Sequence, residues 1–468
     1  MNIHRQPLFR LLALLLTILF GADVAAAQKP FEEVKRKTLI EAASRHLELG
    51  VWCRDRGMTA QATTEFLTAV EVSEGAHPGA SRLVQIMRSL DEKFWKKHKK
   101  PARSSIKSYA KKSVKARHDD QEDRLDLAKL ADKRKMEDLA EAEYEGILRR
   151  RNAALDFDKK GGIMVEAGTI PEKYASRFKE RAVAINDLLY LREGVLEYVP
   201  DLKEISEYQD DVLRVRGSLE LEQLKELHAI TLALLPHLEE DRGARPSQRL
   251  HLFFFATRKN YEAYCDASEH ASHRLVDGFA MSRGLTAVIC AEDLSFPDLQ
   301  AVTLHETAHL FHFGTSRAVM PSWYNEGYAE TFGAQESFSW DGKSLEVAGM
   351  MAPHRLAGLK DPAARFTLAE LLEGKALELF GQDRERAHLF YAQSWTLMRF
   401  LREGAEDEVQ EAYDLWEASC LGAAIGAKVG DLETTDASEA NAWFRGQVAM
   451  DFAKLEQDYS AWLETQLP

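Results

Sequence analysis

The sequence predicts an α+β protein, with a mainly helical N-terminal region, a following domain built on a small mixed sheet, and a helical C-terminal part. Three features lead there. Helix-period patterns fill residues 30–90 and most of 118–245. Three short apolar runs follow, "LHLFFF" (250–255), "GFAMSR" (278–283) and "LTAVIC" (285–290), the last two separated by Arg283 and Gly284. Continuous runs of this length, rich in β-branched and aromatic residues and bounded by turn residues, read as buried strands. Helix patterns then resume at Pro297 and Asp298, residue types suited to a helix start.

The first element is a leader. Arg5 and Arg10 precede ten apolar residues, Leu11 to Phe20, and Ala25 and Ala27 form a small-residue cleavage site. This predicts a signal peptide over 1–27 and an exported chain, periplasmic or extracellular, beginning near Gln28. Ten residues span about 15 Å as a helix against a bilayer core of about 30 Å, so no membrane anchor is expected after cleavage.

Residues 28–92 read as helical hairpins. Leu49, Gly50, Ala62, Phe66 and Ala69 follow the offsets of a tetratricopeptide repeat, where small residues let helices approach and the aromatic fills the gap. Leu127, Ala140, Tyr144 and Ile147 repeat the offsets of 13, 17 and 20. Such a region suits a protein partner, although an ordinary hairpin without ligand has the same pattern. Between the two, residues 93–117 carry eleven Lys or Arg and no acid, which reads as a basic linker or solvated helix face, with a break at Pro101. Residues 118–245 read as a charged helical region, interrupted by a short strand between Gly161-Gly162 and Pro171.

The whole chain is acidic, with a net charge of −14, so general nucleic-acid binding is not expected. In an exported chain the four cysteines could form disulfides; Cys265 and Cys290 are the first choice of pair, while Cys53, at an apolar helical position, reads as a buried thiol.

The chemistry concentrates in "LHETAHLFHFG", residues 304–314. His305 and His309 lie four apart on one helix face and can aim at a single ion, while Glu306 sits about 100° round, within reach of a water on that ion. The flanking residues are apolar nearly all round, so the helix is buried, and burying two imidazoles and a carboxylate costs several kcal/mol unless they are paired or ligated. His312 is about 10 Å along the axis from His305 and cannot share the ion. Downstream, "PSWYNEGYAET" (321–331) starts a second helix at Pro321 and Ser322, and Glu326 in its first turns can return beside the histidines as a third ligand. A structural zinc site would be closed by four ligands, usually with Cys, and no Cys lies within ten residues.

HETAH followed by W-Y-N-E-G-Y-A-E resembles the gluzincin clan of zinc peptidases, which includes thermolysin, aminopeptidase N and the peptidase MA-like domains. The spacing between the motifs is slightly shorter than in the first two, and the MA-like domains look closest. The resemblance covers about 250–405. It implies a gluzincin-like zinc domain over 246–420, followed by a helical tail over 421–468. It also implies Zn²⁺ held by His305, His309 and Glu326, with Glu306 as general base in peptide-bond hydrolysis. Glu330 matches the carboxylate that orients a ligating His, and Tyr391, or His388 one turn earlier, matches the oxyanion donor. "GFAMS" (278–282) stands where aminopeptidase N carries its amine-binding motif, but Ser282 replaces the part bearing the Glu, which leans towards an endopeptidase acting on a peptide or protein substrate. Segment 339–365 is expected near the cleft, and its His354 is not expected to be a site residue. The rival reading is a scaffold protein that retains the zinc fold without turnover.

Overall fold

The computed structural model describes residues 6–74, 77, 79, 103–148, 156–180, 194–347, 353–421 and 437–467. Short gaps fall inside 156–180, 194–347 and 437–467, and most side chains are described from residue 30 onward. The molecule is mainly helical around one five-stranded mixed sheet, an α+β architecture.

Helices α1 (Gln6–Arg54) and α2 (Thr59–Val72) form the first hairpin. Leu49, Ala62, Phe66 and Ala69 are buried in its seam. Gly50 is required there, because a Cβ would collide with the Phe66 ring. Helices α3 (Arg103–Lys133) and α4 (Glu137–Leu148) form the second hairpin around Leu127, Ala140, Tyr144 and Ile147. The basic stretch supplies the first half of α3 from residue 103; Lys107, Lys111, Lys112 and Lys115 are exposed, while Tyr109, Ala110, Ser113 and Ala116 face inward. Pro101 and residues 1–5 of the expected leader lie outside the described residues, as do the leader's side chains. Among the described residues no helix is long and apolar enough to cross a membrane.

A polar clasp ties three of these helices together. His46 on α1 lies 2.5 Å from Glu65 on α2 through Nδ1 and 2.7 Å from Asp120 on α3 through Nε2, and Tyr109 donates to Glu65 at 2.8 Å. Strands β1 (Asp156–Phe157), β2 (Ile163–Val165) and β3 (Gly168–Ile170) make a small antiparallel sheet where a single short strand was expected, followed by α5 (Glu172–Glu180).

The main sheet holds β4 (Ser206–Gln209), β5 (Leu213–Gly217), β6 (Leu250–Phe255), β7 (Gly278–Met281) and β8 (Thr286–Cys290) in the order β4-β5-β6-β8-β7. The inner pairs β5-β6 and β6-β8 are parallel, the outer pairs antiparallel. The three expected strands are present. Two more come from 206–217, which the sequence reading placed in a charged helical region ending at 245, so that reading is corrected and residue 246 falls inside the sheet unit. Arg214 and Arg216 mask the pattern: they alternate with the buried Leu213 and Val215, and both pair with Glu207 on β4. Helix α6 (Leu221–Arg242) makes the crossover from β5 to β6, and α7 (Arg258–Ala267) follows β6.

Strands β6 and β8 are buried throughout. Leu252, Phe254, Ala287 and Ile289 join the larger core on one face, and Phe253, Phe255, Val288 and Cys290 join a smaller one on the other. Cys265 and Cys290 share that smaller cluster, yet all four cysteines are buried free thiols, which corrects the expected disulfide. Cys265 and Cys290 are buried by apolar packing among Tyr261, Tyr264 and Phe279. Cys53 is a buried thiol as expected.

Helices α8 (Phe296–Thr315) and α9 (Ser322–Gly333) follow, then a β9 (Phe338–Trp340) to β10 (Leu345–Val347) hairpin absent from the sequence reading. Helices α10 (Pro353–Gly358), α11 (Leu368–Glu373), α12 (Ala376–Gln382), α13 (Arg384–Arg399), α14 (Asp407–Leu421), α15 (Ala437–Gln447) and α16 (Phe452–Gln466) complete the chain. The expected separate tail after 420 is corrected too. Ala440, Phe444, Leu455, Tyr459 and Leu463 belong to the same core as the sheet and α8.

Candidate metal centre

Helix α8 starts where its sequence directs. Ser295 caps it by accepting from the Asp298 N–H, and Pro297 occupies the first turn. It carries His305, Glu306 and His309 against the sheet, and α9 packs along it carrying Glu326 and Glu330. The two helices touch closely at one point: a Cβ on Gly333 would collide with the backbone N and Cα of His305.

This seam brings together the residues that the sequence separates. His305 Nε2 lies 3.1 Å from His309 Nε2. Glu326 Oε2 lies 3.5 Å from the first nitrogen and 3.4 Å from the second. With metal–ligand bonds of about 2.0–2.1 Å, two vertices of a tetrahedron are roughly 3.3–3.4 Å apart. The three donor atoms therefore have the separations of one tetrahedral face. One other group of described residues has metal-ligating spacing, His118, Asp119 and Glu122, and His118 and Glu122 there are exposed.

The electrostatics fit a cation. Burial alone would raise the Glu326 carboxyl, but His309 and His305 outweigh it and hold it down at about 2. Burial alone would lower His305, yet Glu326 and Glu330 outweigh that and push it up to about 10. Two carboxylates thus converge on one imidazole edge each: Glu330 Oε1 lies 3.4 Å from His305 Nδ1. The same oxygen is 3.0 Å from Arg355 on α10, and Arg355 and His305 hold the Glu330 carboxyl low against the pull of its burial. Glu330 is 3% exposed, a buried carboxylate and not a solvated one.

Glu306 points elsewhere. It is 5% exposed, and its Oε2 is buried without a hydrogen-bond partner. Burial raises its pKa, with Glu326 adding to the effect and the two histidines opposing it. Strand β7 passes close by, since a Cβ on Gly278 would come within 3.1 Å of the Glu306 side chain. The "GFAMS" segment therefore runs beside the site.

A cavity of about 900 Å³ opens onto this group, lined among others by Gly278, His305, Glu306, Glu330, His388 and Tyr391. The Tyr391 ring centroid is 5.9 Å from that of His305 and 5.7 Å from Phe380. Burial, reinforced by Glu326, Glu306 and Glu330, pushes its phenol well above the ordinary value, so it is a hydrogen-bond donor at neutral pH. His388 is held low by burial and by Arg355 and Arg384, and rests against Phe380.

His312 is apart from the donor triangle, packed against Tyr324 and Tyr328, as its spacing required. The His354 side chain lies outside the described residues. Arg355, one residue on, reaches the cavity from the segment expected near the cleft; the sequence marked the segment but not the residue. Gly278 and Gly333 were also missed, because a glycine's role in a close approach depends on what lies opposite. Compared with known proteins, the sequence matches no family model and no curated relative.

Proposed function

We propose that this chain is an exported zinc-dependent peptidase of gluzincin type, acting on peptide or protein substrates and leaning towards internal bonds. The observation that carries the reading is the triangle of donor atoms on His305, His309 and Glu326, with sides of 3.1, 3.4 and 3.5 Å. These side chains would hold Zn²⁺, which supplies a Lewis acid and lowers the pKa of a bound water to about 7.

The chain's own groups then divide the work. Glu330, fixed by Arg355, orients His305 through its Nδ1 edge and so keeps Nε2 turned to the donor triangle. Glu306 offers an unpaired Oε2 to take the proton of the attacking water and return it to the leaving nitrogen; its raised pKa suits both transfers. Tyr391 donates to the oxyanion that develops on the scissile carbonyl. Strand β7 is an edge strand of the sheet among the described residues, so an extended substrate can pair along it beside Glu306. The signal-peptide pattern read over 1–27 supports export, and the N-terminal hairpins offer a surface for a protein partner.

Glu306→Gln tests this directly. The variant should bind zinc at wild-type stoichiometry by elemental analysis and lose hydrolysis of a quenched peptide library. Wild-type turnover by the variant would remove the general base from the mechanism; zinc-free, chelator-insensitive wild-type protein would remove the metal.

A further inference from the structure

Helix α9 has a second face with its own polar assembly. Tyr324 and Tyr328 lie four apart, as Glu326 and Glu330 do, and the offset of two residues places the tyrosines about 200° round the helix from the carboxylates. Their rings are within 5° of parallel, with centroids 6.4 Å apart, and both are buried. Arg242, the last residue of α6 and 4% exposed, sets its guanidinium 3.5 Å from the Tyr328 ring centroid and donates to the Tyr324 hydroxyl at 2.5 Å. Tyr324 donates onward to Glu417 Oε1 at 2.6 Å, an oxygen that also accepts from Arg402 at 2.8 Å and from Tyr413 at 3.2 Å. Arg242 is itself anchored, since Gln61 of the N-terminal hairpin donates to its backbone carbonyl at 3.0 Å.

We propose that Arg242 and Tyr324 are positioning residues for the metal group: they fix the rotation of α9 about its axis, and with it the place of the Glu326 carboxylate. The lever is short and the tolerance small. A helix side chain reaches roughly 5–6 Å from the axis, so a turn of about 20° moves its end by about 2 Å. Metal–ligand distances tolerate only about 0.2 Å. Apolar packing alone leaves such a rotation soft, because both tyrosine rings can slide; the planar guanidinium, stacked on one ring and bonded to the other's hydroxyl, stops it.

The zinc readout rests on the metallopeptidase reading, while the clamp of Arg242 and Tyr324 on α9 does not. Tyr324→Phe keeps the ring and removes the hydroxyl. Tyr413→Phe removes a hydroxyl from the same Glu417 on a helix that carries no donor to the ion, and serves as control. In the full chain we expect Tyr324→Phe to speed hydrogen exchange in α9 and weaken zinc binding about tenfold in a chelator competition, the lower end of what loss of a ligand-orienting group costs. Tyr413→Phe should do neither. Tyr324→Phe matching wild type in zinc affinity, or both variants losing it equally, overturns the proposal. Should the wild type bind no zinc, the metal reading falls, and exchange in α9 alone then decides whether the clamp exists: no difference between the two variants ends it.

Discussion

Gly333 has no side chain because the backbone of His305 occupies the place where one would stand. Gly333→Ala must push α9 from α8, so we expect a loss of about 1–3 kcal/mol in stability and weaker zinc retention. Unchanged melting and unchanged zinc content would show that the seam yields. Tyr391 makes a different kind of claim. Tyr391→Phe keeps the ring against Phe380 and removes only the donor, so kcat should fall by about 10²-fold with KM little changed; equal kinetics would return the residue to packing. Single residues were legible in the sequence where helix spacing alone placed them, as for His305, His309 and Glu306. Glu326 needed only one loop and one return helix. Arg355 and Arg242 were not legible, because nothing local distinguishes an arginine that reaches a distant carboxylate or phenol from one in water.

Among elements, the N-terminal helices are joined by charge as well as by their apolar seam. His46 is 1% exposed between Glu65 and Asp120. Burial opposes its charge, but the two carboxylates outweigh that and raise it from 6.5 to about 9. A pKa raised in the folded state stabilises fully below the unfolded value and is lost as pH rises through the folded one. The contribution, roughly 3 kcal/mol, should therefore be complete below about pH 6.5 and gone above about 9. Urea unfolding of wild type against His46→Gln reads this as a gap that narrows across that window, and a gap constant with pH would mean that the His46 pKa is not raised in the fold. The sequence showed these helices through their small and aromatic residues but could not show the clasp, whose members come from three helices. It also showed β6 and β8, whose every residue is buried, and missed β4 and β5, where arginines alternate with buried positions and pair with Glu207 across the strands.

At the scale of the whole molecule, the residues around the candidate centre do not form a detachable block beginning at 246. The sheet takes β4 and β5 from upstream, α6 lies over it, and α15 and α16 close the same core. This sets what can be cut. A fragment starting at Pro246 would leave one flank of "LHLFFF" without its neighbour, with the N–H and C=O groups that face β5 open to any chain that can pair with them. Such a fragment should precipitate or form strand-paired aggregates on expression, whereas a longer piece that keeps β4, β5 and α6 should remain in solution. The place where the chain changes from charged to apolar is thus the worst place to divide it.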